Sequence, residues 1–330
     1  MVKFSSTITT SQLRGAYNDV EAVAIPTPQP PAPVAVQIQD VSKSFGSHIA
    51  VDSLSLQVPR GCIYGFIGPN GSGKTTTLRM IMKIIHPDTG SIQVLGEDRT
   101  KAYTDRIGYL PEERGLYRKM KLRPMLQFFG EMKCGRDVKA EVDEWLERFD
   151  MGKWADKKVE ALSKGMGQKI QFISAVISKP ELMILDEPFT GLDPVNADVI
   201  RDAVLDLQRN GSTVIFSTHD MSAAEELCDF IFMIYKGKKV LDGTLEEIQG
   251  QFGSDTIRLK LDGDSTPLSN ISGVADVGSH GKFHELHLQP NTDTQKVLAD
   301  VMAQRKVTHF ELAKPTLHDI FVRIAGADHE

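Results

Sequence analysis

Three cysteines are all that this 330-residue chain contains: Cys62, Cys134 and Cys228. They are odd in number, far apart and never at C-x-x-C spacing, which excludes a disulfide framework and leaves metal and redox readings without a motif. Reduced, structural thiols in a cytosolic protein are the expectation. Long hydrophobic runs are missing too. The apolar stretches 170–177 and 182–185 are separated by Lys179, Pro180 and Glu181, and neither approaches the roughly 20 residues that span a bilayer. Nor is there an excess of positive charge: 38 Lys and Arg face 44 Asp and Glu, for a formal net charge of -6, a field that does not favour nucleic acid. With 27 glycines and 16 prolines, collagen and low-complexity disorder are excluded. What remains is the usage of an ordinary folded chain, whose length suggests about two domains with a core that needs no staples.

Residues 1–35 open polar and pass into Pro26, Pro28, Pro30, Pro31 and Pro33. They read as a disordered, Pro-rich N-terminal extension, a polyproline-like tether without the apolar core of a signal peptide. Pro28-x-x-Pro31 also fits an SH3-type ligand, but a plain linker is the commoner meaning of such a run. From Val36 onward short apolar strands at 36–38, 49–56 and 63–67 lead into a Gly-rich turn and a predicted helix over 75–85, the opening of an α/β domain. Spacings near 3.6 within 125–132 and 142–149 predict helices in a subdomain at about 112–160. Strands return at 182–185, 214–217 and 230–234, so helices are inserted into an α/β core of 36–250. Beyond it, alternation at Ile257, Leu259 and Leu261 and at Leu286 and Leu288, with helical spacing at Val297 and Val301, predicts a small α+β domain over 251–330 that ends in a helix at 317–324.

Gly68-Pro69-Asn70-Gly71-Ser72-Gly73-Lys74-Thr75 satisfies G-x-x-x-x-G-K-[ST], after an apolar strand and before a helix that continues with Thr76. In that context it is a phosphate-binding loop. Its glycines let backbone N–H groups turn onto phosphates, Lys74 reaches the β and γ oxygens, and Thr75 is suited to Mg²⁺. The strand at 182–185 then delivers Asp186 and Glu187 at its carboxyl end, where open α/β sheets place their ligands. Asp186 is expected to hold Mg²⁺, and Glu187 to orient and deprotonate an attacking water. Leu162-Ser163-Lys164-Gly165-Met166 reads by itself as a helix start capped by Ser163.

Together these segments resemble an ATP-binding cassette (ABC) nucleotide-binding domain, whose signature begins Leu-Ser-Gly-Gly-Gln. The chain departs from it at Lys164 and Met166 but keeps Ser163 and Gly165. The resemblance covers about 36–250 and implies a P-loop NTPase core. It assigns Phe45 to stacking on adenine, Asp193 in Gly191-Leu192-Asp193 to the loop after the two carboxylates, and His219 in Ser217-Thr218-His219-Asp220 to the switch position. Glu112 in Tyr109-Leu110-Pro111-Glu112 stands where most ABC domains carry a glutamine that approaches Mg²⁺. A carboxylate oxygen can replace that amide oxygen toward a hard cation, and a plain acid at a helix start is the competing reading. The family pairs head to tail, so one cassette per chain implies a dimer, with a second copy of itself as the expected partner. The tail resembles the accessory domain of ATPase subunits of bacterial multidrug, antibiotic-resistance and sodium-efflux exporters, down to Pro315-Thr316-Leu317-His318-Asp319-Ile320-Phe321. His280, His284 and His287 in the tail suggest a metal, but positions 284 and 287 on one strand point to opposite faces.

The expectation is thus a cytoplasmic ATPase subunit, binding ATP and Mg²⁺, that powers a separate integral membrane permease from its inner face, most often for export, with no nucleic-acid partner. The helical insertion would touch the permease, and Arg114, Arg118, Lys119, Lys121 and Arg123 at its start form either a docking surface or a solvated basic face. The rival is an ABC ATPase acting in translation or DNA maintenance without a membrane partner. Against it stand the single cassette, the lack of a long coiled-coil insertion and the net charge.

Overall fold

The computed structural model of the chain describes residues 33–96, 105–113, 115–252, 256–262, 268, 271–280, 283–289 and 292–326. Nearly all of the Pro-rich extension lies outside them, as does Arg114, and the first strand already starts at Val34, inside the span read as a tether. That strand, β1 (Val34–Phe45), pairs antiparallel with β2 (His48–Pro59) on one side and β4 (Thr89–Val94) on the other. Between them in sequence, β3 (Ile63–Ile67) leaves for a six-stranded sheet of order β5-β6-β7-β3-β8-β9. Its members are β5 (Ile107–Leu110), β6 (Leu182–Asp186), β7 (Thr213–Thr218), β8 (Phe230–Tyr235) and β9 (Lys238–Gly243). All run parallel except β9.

Every residue of β3, β6 and β7 is buried. Parallel strands are covered on both faces, which is why these segments read as unbroken apolar runs and were legible in the sequence. The edge strands β5 and β9 leave no such run in the sequence: the first is only four residues long and the second is Lys238-Lys239-Val240-Leu241-Asp242-Gly243, polar because it faces solvent. The helix after the Gly-rich turn, α1 (Lys74–Ile81), stops short of the predicted 85, because Lys83 turns left-handed at φ 57°.

In the helical insertion, α2 (Leu122–Cys134) and α3 (Lys139–Arg148) are followed by single 3₁₀ turns at Gly152–Trp154 and Val159–Ala161. The first ten residues of the predicted subdomain are not helical among those described. The apolar stripes Leu122, Met125, Leu126 and Val142, Leu146, Phe149 face α4 (Lys164–Val176), where Phe172 stacks on Phe149 at 5.7 Å and meets Trp145 edge-on at 6.2 Å. Two further helices flank the sheet, α5 (Pro194–Arg209) and α6 (Met221–Leu227), and α7 (Leu245–Gln251) follows β9. No helix among the described residues is long and apolar enough to cross a membrane.

The tail forms an antiparallel sheet β11-β12-β10-β13, from β10 (Thr256–Asp262), β11 (Val274–His280), β12 (Phe283–Leu288) and β13 (Lys306–Ala313). Val297 and Val301 of α8 (Thr294–Gln304) cover its Ile257, Leu259, Leu286 and Leu288. The last helix, α9 (Leu317–Gly326), leaves that core: Leu317 and Ile320 pack with Ala224, Ile231, Met233 and Ile248 beside the large sheet. His284 stands opposite Leu259 and His287 opposite Thr256, whose hydroxyl lies 3.2 Å from His287 Nδ1. All three cysteines are free. Burial pushes the Cys62 thiol up to about 12 and the Cys228 thiol further, so neither is nucleophilic at neutral pH.

The Phe149–Phe172–Trp145 cluster joins the insertion to α4. Truncating its fully buried member, Phe172→Ala, is expected to lower stability by about 3–5 kcal/mol, read as a fall in the denaturant midpoint at constant slope; a midpoint within error of wild type would mean that the cluster does not hold the insertion.

Candidate functional site

The carboxyl ends of β3, β6 and β7 line up, with Ile67 opposite Thr218 and Asp186 opposite Ser217. The loop after β3 therefore meets the two acids after β6. Two of its glycines are required by geometry. At Gly68, with φ 150°, a Cβ would come within 2.2 Å of Ile234 O, and at Gly73, with φ 113°, within 2.5 Å of Ala50 O. The loop is thereby pressed against β2 and β8, ahead of the start of α1.

Lys74, 6% exposed, donates from Nζ to Gly68 O at 2.7 Å and to Pro69 O at 3.2 Å, and lies 3.8 Å from Glu187 Oε1. Burial pulls its pKa below the ordinary lysine value, opposed by Glu187, Asp186 and Glu112. Asp186 Oδ1 accepts from Ser217 Oγ at 2.6 Å and from Thr75 Oγ1 at 3.1 Å. Its other oxygen, Oδ2, is buried with no hydrogen-bond partner. Burial raises the Asp186 pKa, and the two hydroxyls pull the other way. A buried carboxylate oxygen left without a donor beside a threonine hydroxyl is a hard-oxygen set that fits a hard divalent cation.

Glu187 adopts φ 51°, a left-handed conformation uncommon for a residue with a side chain. Its N–H donates to Ser217 Oγ at 3.0 Å, so one hydroxyl fixes both acids. The Glu187 carboxylate accepts from Thr190 Oγ1 at 3.1 Å and lies 3.0 Å from His219 Nδ1. The acid is 9% exposed by its side chain, while His219 is 53% exposed.

Phe45 ends β1 opposite His48 and is half exposed. Lys43 Nζ stands 5.6 Å from its ring centre and pairs with Asp88 at 2.7 Å, and the same carboxylate takes the Ser44 N–H at 2.7 Å. A cavity of about 420 Å³ is lined by Phe45, Asn70, Gly71, Gly73 to Thr76, Glu112 and Glu187. Glu112 reaches it on a loop held from behind: buried Gln171, on α4, donates from Nε2 to Pro111 O at 3.3 Å and Glu113 O at 3.0 Å.

Ser163, Gly165 and Asp193 are not part of that cavity lining. Ser163 caps α4, its hydroxyl accepting from Met166 N at 3.3 Å. Asp193 caps α5 through Asn196 N at 3.0 Å, and bonds from Asn196 hold its carboxyl below the usual range. A Cβ on Gly165 would meet only ordinary contacts, the nearest being Asn196 Nδ2 at 3.5 Å. The structure thus gathers the phosphate loop, Phe45, Glu112, the two acids and His219 in one place and leaves the signature residues in another. Sequence reasoning missed His48, which also lines the cavity, and Thr190, Ser217 and Gln171. Ser217 opens the segment Ser217-Thr218-His219-Asp220, of which only His219 draws attention, whereas nothing in the sequence around Gln171 points to the Glu112 loop.

Such a site, on such a sheet, defines a nucleotide-binding P-loop ATPase. Residues 51–190 match the family described as ABC transporter, and residues 243–325 match the C-terminal domain described as ATP-binding protein DrrA1-3-like. The chain is 42% identical over 295 residues, 89% of its length, to the Bacillus subtilis protein named "Uncharacterized ABC transporter ATP-binding protein YhaQ", of which 99% is covered. It is 32% identical over 312 residues to the daunorubicin resistance ATP-binding protein DrrA3 of Streptomyces coeruleorubidus, covering 90% of this chain and 98% of that one. A solved structure described as the ATP binding subunit of an ABC transporter superposes with a TM-score of 0.63 at 29% identity, over 66% of this chain and 93% of that one. The chain belongs to the ABC transporter ATP-binding proteins, a family of ATPases coupled to transport.

At Gly73 both backbone hand and space forbid a side chain. Gly73→Ala is expected to lower stability by about 1–3 kcal/mol and to abolish tight ATP binding, measured by denaturant titration and by calorimetry; full ATP affinity in the variant would show that the loop tolerates a different path.

Proposed function

We propose that the chain is the ATP-hydrolysing subunit of an exporter whose membrane-spanning part is a separate permease, and that it works as a dimer on the cytoplasmic face of that permease. The observation that carries the catalytic reading is the convergence on Glu187: a buried carboxylate with His219 Nδ1 at 3.0 Å and Lys74 Nζ at 3.8 Å, at the mouth of the phosphate loop. Export is supported by relatives such as the daunorubicin resistance protein, and the same likeness favours a membrane partner over a role in translation or DNA maintenance.

Phe45 stacks on the adenine, and the N–H groups of Gly68 to Thr76 with Lys74 hold the phosphates. Thr75 and Asp186, whose Oδ2 lacks a donor, would hold Mg²⁺, with Glu112, which lines the cavity beside Thr75, as a third oxygen. When bound, Mg²⁺ neutralises charge on the β and γ phosphates. Glu187 takes the proton of the attacking water, and His219 keeps its carboxylate turned into the cavity. Ser163 and Gly165 stand outside this cavity, and among the described residues a side chain at position 165 would meet only ordinary contacts. Both facts are accounted for when the signature helix, with Asp193 beside it, closes over the ATP of a second copy.

Glu187→Gln keeps the shape of the side chain but cannot take a proton. It is expected to slow hydrolysis on the order of 10²-fold or more with ATP binding retained, and to run as a dimer with ATP in size-exclusion chromatography. Wild-type turnover would remove Glu187 from its role, and a monomer at saturating ATP would argue against closure by a second copy.

Glu112 is tested separately. Glu112→Ala is expected to weaken the dependence of the ATPase rate on Mg²⁺ and to uncouple it from permease stimulation, while Glu112→Gln retains much of both. If Glu112→Ala matches wild type in Mg²⁺ titrations with and without the permease, the residue is only a loop acid; it lies just after β5 and not at a helix start, since the next helix among the described residues begins at Leu122.

A further inference from the structure

The helix that follows the switch histidine buries few large side chains; beside them, Met221 packs partly on the core and Glu226 pairs with Arg201 of α5 at 3.4 Å. α6 has seven residues, and its buried members are Ala223, Ala224 and Leu227, two of which offer little apolar area. Its start is fixed by Asp220, immediately after His219, whose Oδ1 accepts from Ser222 N at 3.0 Å and Ala223 N at 3.2 Å. Its middle is fixed from the tail: the partly buried Glu225 carboxylate accepts the N–H of Leu317, the first residue of α9.

That N–H needs an outside acceptor. Thr316 and Asp319 close a local box at the start of α9, Thr316 Oγ1 accepting from Asp319 N at 3.2 Å and Asp319 Oδ2 accepting from Thr316 N at 3.0 Å. The box leaves the Leu317 N–H unsatisfied by the cap. Glu225 supplies the acceptor, and its negative charge sits favourably at a helix N-terminus. α9 is in turn seated on the core by Leu317 and Ile320, by Phe321 edge-on to Tyr235 at 5.6 Å, and by Gln249 Nε2 bonded to Pro315 O at 3.0 Å. Pro315 lies two residues after β13, so the tail sheet, α9, Glu225, α6 and His219 form one continuous series of contacts.

We propose that Glu225 is a positioning residue through which the tail domain holds His219 against Glu187, so that the tail tunes the rate of hydrolysis and not the affinity for nucleotide. The inference rests on the hydrolytic role given to His219 above.

The test is a double-mutant cycle in the full chain, reading ATPase kinetics and the binding of a fluorescent ATP analogue. Glu225→Ala is expected to lower kcat about tenfold with the KM for ATP changed less than about twofold. Glu225→Gln, whose side-chain oxygen accepts the same N–H, is expected to restore at least about half of the rate. In a His219→Ala background Glu225→Ala is expected to cost nothing further, because residues acting through one group are not additive. Phe321→Ala, which loosens α9 from Tyr235 and leaves Glu225 in place, carries the same expectation if the Glu225 variants do not fold. Equal losses with and without His219, or a parallel rise in KM, would overturn the inference alone. A His219→Ala protein with wild-type turnover would remove the role of His219, and the inference with it.

Discussion

The register of β6 on β7 is the constraint from which the site follows. Asp186 stands opposite Ser217, and the Ser217 hydroxyl donates to the Asp186 carboxylate while accepting the Glu187 N–H. Both strands are buried along their whole length, so a slip by one residue would carry every apolar side chain to the wrong face and separate that hydroxyl from both acids. Parallel pairing brings the carboxyl ends of neighbouring strands to one edge of the sheet. The phosphate loop after β3 and the His219 loop after β7 consequently open beside the acids after β6, with no further device needed to assemble them.

The core of this arrangement is legible in the sequence because each part is local. A run buried on both sides is apolar throughout, a phosphate loop has fixed glycines, and an acid pair must follow a strand to reach the sheet edge. What was not legible is whatever depends on contacts between distant segments. Gln171 sits in the middle of an amphipathic helix and looks like any polar residue there, yet its amide clamps the carbonyls on both sides of Glu112. The edge strand β9 carries a solvent-facing lysine pair that hides its pairing, and α1 ends early because Lys83 takes a left-handed turn that no sequence rule marks. The final helix was read correctly as a helix, but its periodicity says nothing about which core receives it, and it joins the large sheet in place of its own.

The site concentrates charge where water is scarce. Asp186 and Glu187 are adjacent, nearly buried acids; Lys74, itself weakened as a base by burial, stands 3.8 Å from Glu187, and the charge of Arg79 acts on Asp186. Like charges at such separation are tolerated only when hydroxyls and cations share the load. Ser217, Thr75, Thr190 and His219 do part of this, and the unpartnered Asp186 oxygen marks where the protein alone does not complete it.

On the proposed dimer, Gly165 separates folding from assembly. Inside a single chain the position is indifferent: its backbone is ordinary helix and a methyl group there would touch its neighbours at normal distances. A survey of substitutions scored by the stability of the isolated protein would therefore pass residue 165 as neutral or score alanine as a small gain, since alanine favours helix over glycine. The phosphate-loop glycines would fail the same survey at once. On the proposed pairing of two copies, ranking by robustness of the fold and ranking by need would disagree most at the start of the signature helix, and that disagreement would map the surface turned toward the second copy.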